Sequence, residues 1–158
     1  MIEIENKIYD LMEQDAALRL LTGHLASDTR IYHDWPPEEL PLSLAKPAYI
    51  TMHFSAPGPI VASEEVQPVQ FPDMAVELNV WANTPLLRDQ VHERLMEIFW
   101  SRADTTDKWT EIWTTNYRIM KVTQEMAESL TEIHEGTGQV LCWRKIIRLR
   151  LGAIYKDR

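Results

Sequence analysis

Apolar residues recur at helical spacing from the start of the chain. Ile4, Ile8, Leu11 and Met12 stand at i, i+4, i+7 and i+8, and Glu3, Glu5, Asn6, Lys7, Asp10 and Glu13 fill the positions between. That spacing gives a helix with one apolar stripe, which must pack on something larger. Asp15 reads as the N-cap of a second helical stretch, Ala16 to Leu21, closed by Thr22-Gly23. Arg30 to Trp35 predicts a brief strand that runs into Pro36-Pro37. With Pro41 and Pro47 further on, residues 36–47 form a stiff, extended connection.

Tyr49 to Phe54 predicts a strand. Residues 55–73 then carry Pro57, Gly58, Pro59, Pro68 and Pro72 together with Ile60, Val61, Val66 and Val69. This is long for a loop in a compact domain, and its apolar content fits a projecting β-arm that docks on a neighbour. Met74 to Ala82 alternates cleanly, with Met74, Val76, Leu78 and Val80 on one face and Ala75, Glu77, Asn79 and Trp81 on the other. Thr84 and Pro85 then open a helix as N-cap and first helical residue, and Leu87, Val91, Leu95 and Ile98 line one side of it to about Arg102. Asp89 is placed in its first turn, where a carboxylate suits the dipole.

Trp109 and Trp113 are spaced for a short helical turn within polar residues 103–116. Tyr117 to Gln124 predicts a strand, and the acidic stretch Glu125 to Gln139 ends in the turn signal Glu135-Gly136-Thr137-Gly138. A last strand covers Val140 to Tyr155, with Leu141, Trp143, Ile147, Leu149, Leu151 and Ala153 on one face and Arg144, Arg148 and Arg150 on the other. Sixteen residues extend about 50 Å, so this strand is expected to bend or to project beyond its sheet. The order α-β-β-β-α-β-β predicts one α+β domain over residues 1–158: a mainly antiparallel sheet flanked by two main helices, with projecting loops or β-arms.

Size and charge narrow the function. A chain of 158 residues with 45% apolar content supports a core without disulfides or metals. No apolar run reaches about 18 residues, and the acidic start Met1-Ile2-Glu3-Ile4-Glu5 has no signal layout, so the chain is expected to stay in the cytoplasm where it is made. Sixteen Lys and Arg against 24 Asp and Glu give a net charge of −8, which disfavours ordinary nucleic-acid binding but suits a surface that nucleic acid passes without sticking.

Candidate chemistry is sparse. Cys142 is alone, which excludes an intrachain disulfide and a Cys-rich zinc site, and it reads as a buried small hydrophobe. His24, His33, His53, His92 and His134 form no two-ligand helical spacing. Gly136-Thr137-Gly138 precedes a strand and lacks the rest of a nucleotide loop, so a hairpin turn is the expectation. No catalytic, cofactor or metal residue is assigned. Six tryptophans remain. Core packing accounts for many of them, but Trp and Arg are also the residues enriched at interfaces. Trp81, Trp109, Trp113, Arg144, Arg148, Arg150, Ile60 and Val61 are therefore the candidate subunit or partner interface. The arginines have three available partners: the acidic segment 125–135 of the same chain, an adjacent subunit, or Glu77.

The stretch Ile8 to Gly23, with Asp15-Ala16-Ala17-Leu18 leading to Leu20-Leu21-Thr22-Gly23, followed by Arg30-Ile31-Tyr32, a proline-rich link and Pro47-Ala48-Tyr49-Ile50-Thr51, resembles the start of the phage tail-completion or tail-terminator (head–tail joining) proteins of long-tailed phages and prophages. Val76 to Ala82 looks like the family's central strand, and the Arg-rich last strand also fits. Pro47 and Tyr49 stand one residue further apart than in the family pattern, and residues 55–73 and 103–139 are longer than in its small members. The resemblance implies a virion structural protein that catalyses nothing. It implies a homo-oligomeric ring, usually a hexamer, at the head-proximal end of the tail, terminating the tail tube and joining it to the head connector or neck protein. DNA would pass through its lumen without specific binding. The protein would reside in the virion tail, and in the host cytoplasm during assembly. The residues alone leave two other readings open: a small α+β enzyme or ligand-binding protein with a site assembled from scattered His, Glu and Arg, and a prophage-encoded regulatory binding module.

Overall fold

The computed structural model describes residues 2–25, 29–34, 42–55, 73–99 and 112–155. Helix α1 is Ile2–Glu13, and its stripe is realised: Ile4, Ile8 and Met12 are buried, with Leu11 partly so. The chain breaks at Asp15, whose side chain accepts from the Leu18 N–H at 2.8 Å and caps helix α2, Ala16–Thr22. Gly23 ends that helix in the left-handed region at φ 71°, a conformation that costs a residue with a Cβ. Strand β1 is short, Ile31–His33. Strand β2 is Ala48–Ser55 and β3 is Asp73–Ala82. In β3 the alternation holds, with Met74, Val76, Leu78, Val80 and Ala82 all buried.

Helix α3, Pro85–Phe99, starts as expected, since the Leu87 N–H donates to Thr84 Oγ1 at 3.2 Å. Asp89 does not lie in its first turn; it sits one turn on, held by Arg88 at 3.0 Å and by Lys145 at 3.2 Å. The helical turn expected around Trp113 is replaced by strand β4, Ile112–Trp113. Strand β5 runs from Tyr117 to Ile133 and so takes in most of the acidic stretch expected to lie outside a strand. Exposure on both faces explains the difference, because an edge strand without a buried side shows no alternation. Strand β6, Val140–Tyr155, has the expected bounds.

The six strands form one sheet in the order β1-β2-β3-β6-β5-β4, parallel only between β1 and β2. The α+β class and mainly antiparallel sheet therefore stand, the second helical stretch expected after Asp15 is α2, and β4 is added to the predicted elements. The helices pack on the face that carries Ile50, Met52, Val76, Leu78, Ile147 and Leu149. Lys145 reaching Asp89 and His92 bonding Gln124 at 2.8 Å tie α3 to that face. Burial holds the His92 imidazole below its usual pKa. The apolar face of β6 is only partly buried: Ile147, Leu149 and Leu151 are in the core, whereas Leu141 is exposed. Pairing with β3 covers only residues 143–152 of β6, so residues 140–142 run past the sheet's central strand with β5.

Candidate interaction surfaces

Alternation sends Tyr49 of β2, Trp81 of β3 and Arg144 of β6 to the sheet face opposite the helices, and the register sets them side by side: Tyr49 pairs with Trp81, and Trp81 with Arg144. The Tyr49 and Trp81 rings stack with centroids 5.7 Å apart and planes at 14°. The Arg144 guanidinium lies 4.3 Å from the Trp81 ring centroid, a cation–π contact. Tyr32 meets Tyr49 edge-on at 6.2 Å, and Arg30 covers the Tyr49 ring at 5.6 Å. Arg30 is itself buried, donating to the carbonyls of Ala48 and Lys46 at 3.0 and 3.2 Å. Burial pushes the Tyr49 hydroxyl pKa up to about 12. The Trp81 indole Nε1 is buried with no hydrogen-bond partner among the described residues, a loss of about 1–3 kcal/mol for a desolvated donor.

Arg144 is fully engaged. Its Nε and Nη2 donate to Asn79 Oδ1 at 3.0 and 2.7 Å, and its Nη1 donates to Glu132 Oε1 at 3.3 Å. Arg148 and Arg150 share one carboxylate, Glu125, at 3.4 and 3.1 Å. Glu125 occupies a register shift in β5 between Gln124 and Met126, and such a bulge re-aims a side chain. The arginine row thus meets the acidic segment of its own chain, the first of its three available partners. Glu77 instead accepts from Asn79 at 3.0 Å. These pairs are partly exposed and contribute little each.

Beyond Arg118 and Ile119, which pair with β4, the outer side of β5 has no strand partner among the described residues. This leaves a long edge on which Thr123, Glu125, Ala127, Glu128 and Ser129 are exposed. An unpaired edge offers backbone donors and acceptors to another chain.

Of the interface residues expected from sequence, Trp81, Arg144, Arg148 and Arg150 come together on one sheet face. Trp113 lies at the far edge in β4. Ile60, Val61 and Trp109, with the arm expected over residues 55–73, lie outside the described residues apart from the arm's two ends. Tyr32 and Tyr49 are additions that sequence alone did not single out, because cross-strand register decides their membership. Two exposed histidines have single carboxylate partners, His33 with Glu5 at 3.2 Å and His53 with Asp34 at 2.7 Å. Among the described residues no group of three or more His, Cys, Asp or Glu is placed to hold a metal.

No protein-family model matches the chain, and no curated protein matches it. Among solved structures, the chain is similar to a chain of the virion of a native gene transfer agent particle, with a TM-score of 0.57 and 13% identity. The match covers 98% of this chain and 96% of that one, so the two share a fold over nearly their whole lengths.

Proposed function

We propose that this chain is a structural component of a phage-like particle. In this reading it is a tail-completion protein that assembles as a ring of copies at the head-proximal end of the tail, ends the tail tube and joins it to the head connector. The observation that carries the proposal is the fold likeness to a chain of a virion particle, end to end in both chains. The N-terminal motif order, from Asp15-Ala16-Ala17-Leu18 through Arg30-Ile31-Tyr32, supports the finer assignment to tail completion. Residues Asp15 and Arg30 have structural duties, as helix cap and as clamp on the start of β2, and this suits a scaffold rather than a reaction.

The role is mechanical and non-catalytic. A net charge of −8 suits a lumen that lets DNA pass without adhering to it. The hairpin end of β5 and β6 supplies a surface for neighbouring copies. Electron microscopy of the purified protein, alone and mixed with tail tubes, tests the reading. Closed rings, formed alone or on tube ends, are expected; a protein that forms no ring in either setting contradicts it.

A further inference from the structure

Four segments converge at one end of the sheet. Ala48, Ala82 and Trp143 are register neighbours across β2, β3 and β6. Residues 42–47 ahead of β2, 82–87 at and after the end of β3, and 133–142 of the β5–β6 hairpin therefore lie at the same end. The C-terminus of α2 joins them: a Cβ at Gly23 would collide with the Ala45 carbonyl oxygen. Asn83 ties the centre, donating its N–H to the Pro47 carbonyl at 3.0 Å.

This end is apolar and open. Leu20, Leu25, Leu44, Leu86, Ile133 and Leu141 are each more than half exposed, Leu44 to 97%. Across residues 20–25, 42–47, 82–87 and 133–142 the only Lys, Arg, Asp or Glu are Lys46 and Glu135, although 25% of the chain is charged. Depletion of charge around exposed large side chains is the composition of an interface core.

We infer that this end is where one copy of the chain packs against another. Area and charge select that occupant. The exposed leucines and isoleucine, summed residue by residue, present on the order of 700 Å², close to the roughly 800 Å² each partner contributes to a standard interface. Two copies that each carry −8 repel wherever carboxylates face each other. On β5 Glu128 is exposed, and on α3 Glu93 is exposed. Those surfaces suit a basic partner, whereas the leucine end lets like-charged copies meet. The inference deepens the assembly reading above by naming a contact between copies.

Sedimentation velocity on the full chain over a concentration series tests it. The wild type is expected to associate. The Leu44→Glu/Leu86→Glu double variant is expected to weaken that association on the order of 100-fold, and Glu93→Gln by less than about 3-fold. Both substituted leucines are exposed, so thermal midpoints near wild type will verify folding. Unchanged association in the double variant overturns the inference, as does a wild type that stays monomeric or that uses these leucines only to bind a different protein. If rings form equally with the double variant, this contact is wrong and the assembly reading stands. If the wild type associates through the leucines yet is absent from particles, the contact is right and the tail assignment fails.

Discussion

Asp15 and Arg94, 79 residues apart in sequence, meet through two hydrogen bonds of 2.9 and 2.6 Å. The same Asp15 caps α2 through the Leu18 N–H, so one carboxylate both starts α2 and fastens it to α3. Asp15→Ala is expected to cost about 1–3 kcal/mol, combining a lost cap with a paired guanidinium left without its partner; chemical denaturation measures it.

The Arg94 hydrogen bonds hold the Asp15 carboxyl below its usual pKa. A carboxylate depressed in the folded state contributes stability above its unfolded pKa of about 3.9, and that contribution is lost as pH falls through the folded value. The stability gap between wild type and Asp15→Asn should therefore be full at neutral pH and close progressively below about pH 4. Denaturation midpoints at a series of pH values will show it, and a gap that widens on acidification would contradict the pairing.

Two glycines in the same backbone region predict different costs. Gly23 at φ 71° and Gly138 at φ 67° are both left-handed, so alanine at either is strained by about 1–2 kcal/mol. Only Gly23 also meets backbone, the Ala45 carbonyl, whereas nothing lies within 4 Å of a Cβ at Gly138. Gly23→Ala is expected to destabilise clearly more than Gly138→Ala, read as a difference in thermal midpoint.

Arg144 holds together Trp81, Asn79 and Glu132. Arg144→Ala should cost about 1.5–3 kcal/mol, because buried Asn79 loses a charged donor and Trp81 its cation. Arg144→Lys should recover less than half of that, since an ammonium lacks the planar fork that bonds Asn79 while stacking on the indole. Urea denaturation of the two variants tests the ranking.

Strand β3 and helix α3 were legible in sequence because each has one buried side and so a clean period: Met74, Val76 and Leu78 for the strand, Val91 and Leu95 for the helix. The far half of β5 was not, because Glu125 to Ser129 are exposed on both faces and no period survives without burial. The arginine face of β6 was legible as a face, but its partner was not. The bulge that brings Glu125 to both Arg148 and Arg150 is a register event between strands. The aromatic row is of the same kind, since Tyr49, Trp81 and Arg144 come together only once β2, β3 and β6 are aligned. The leucine end is more dispersed still, assembled from four segments that no local pattern connects.

The central claim is a structural place in the particle, and labelling of purified particles tests it most directly. Particles from a host carrying this gene with an affinity tag would be probed with gold-labelled antibody and imaged by electron microscopy. The account predicts label at the head-proximal end of the tail in intact particles. Particles that are complete, infectious or transfer-competent and carry none of this protein would contradict it.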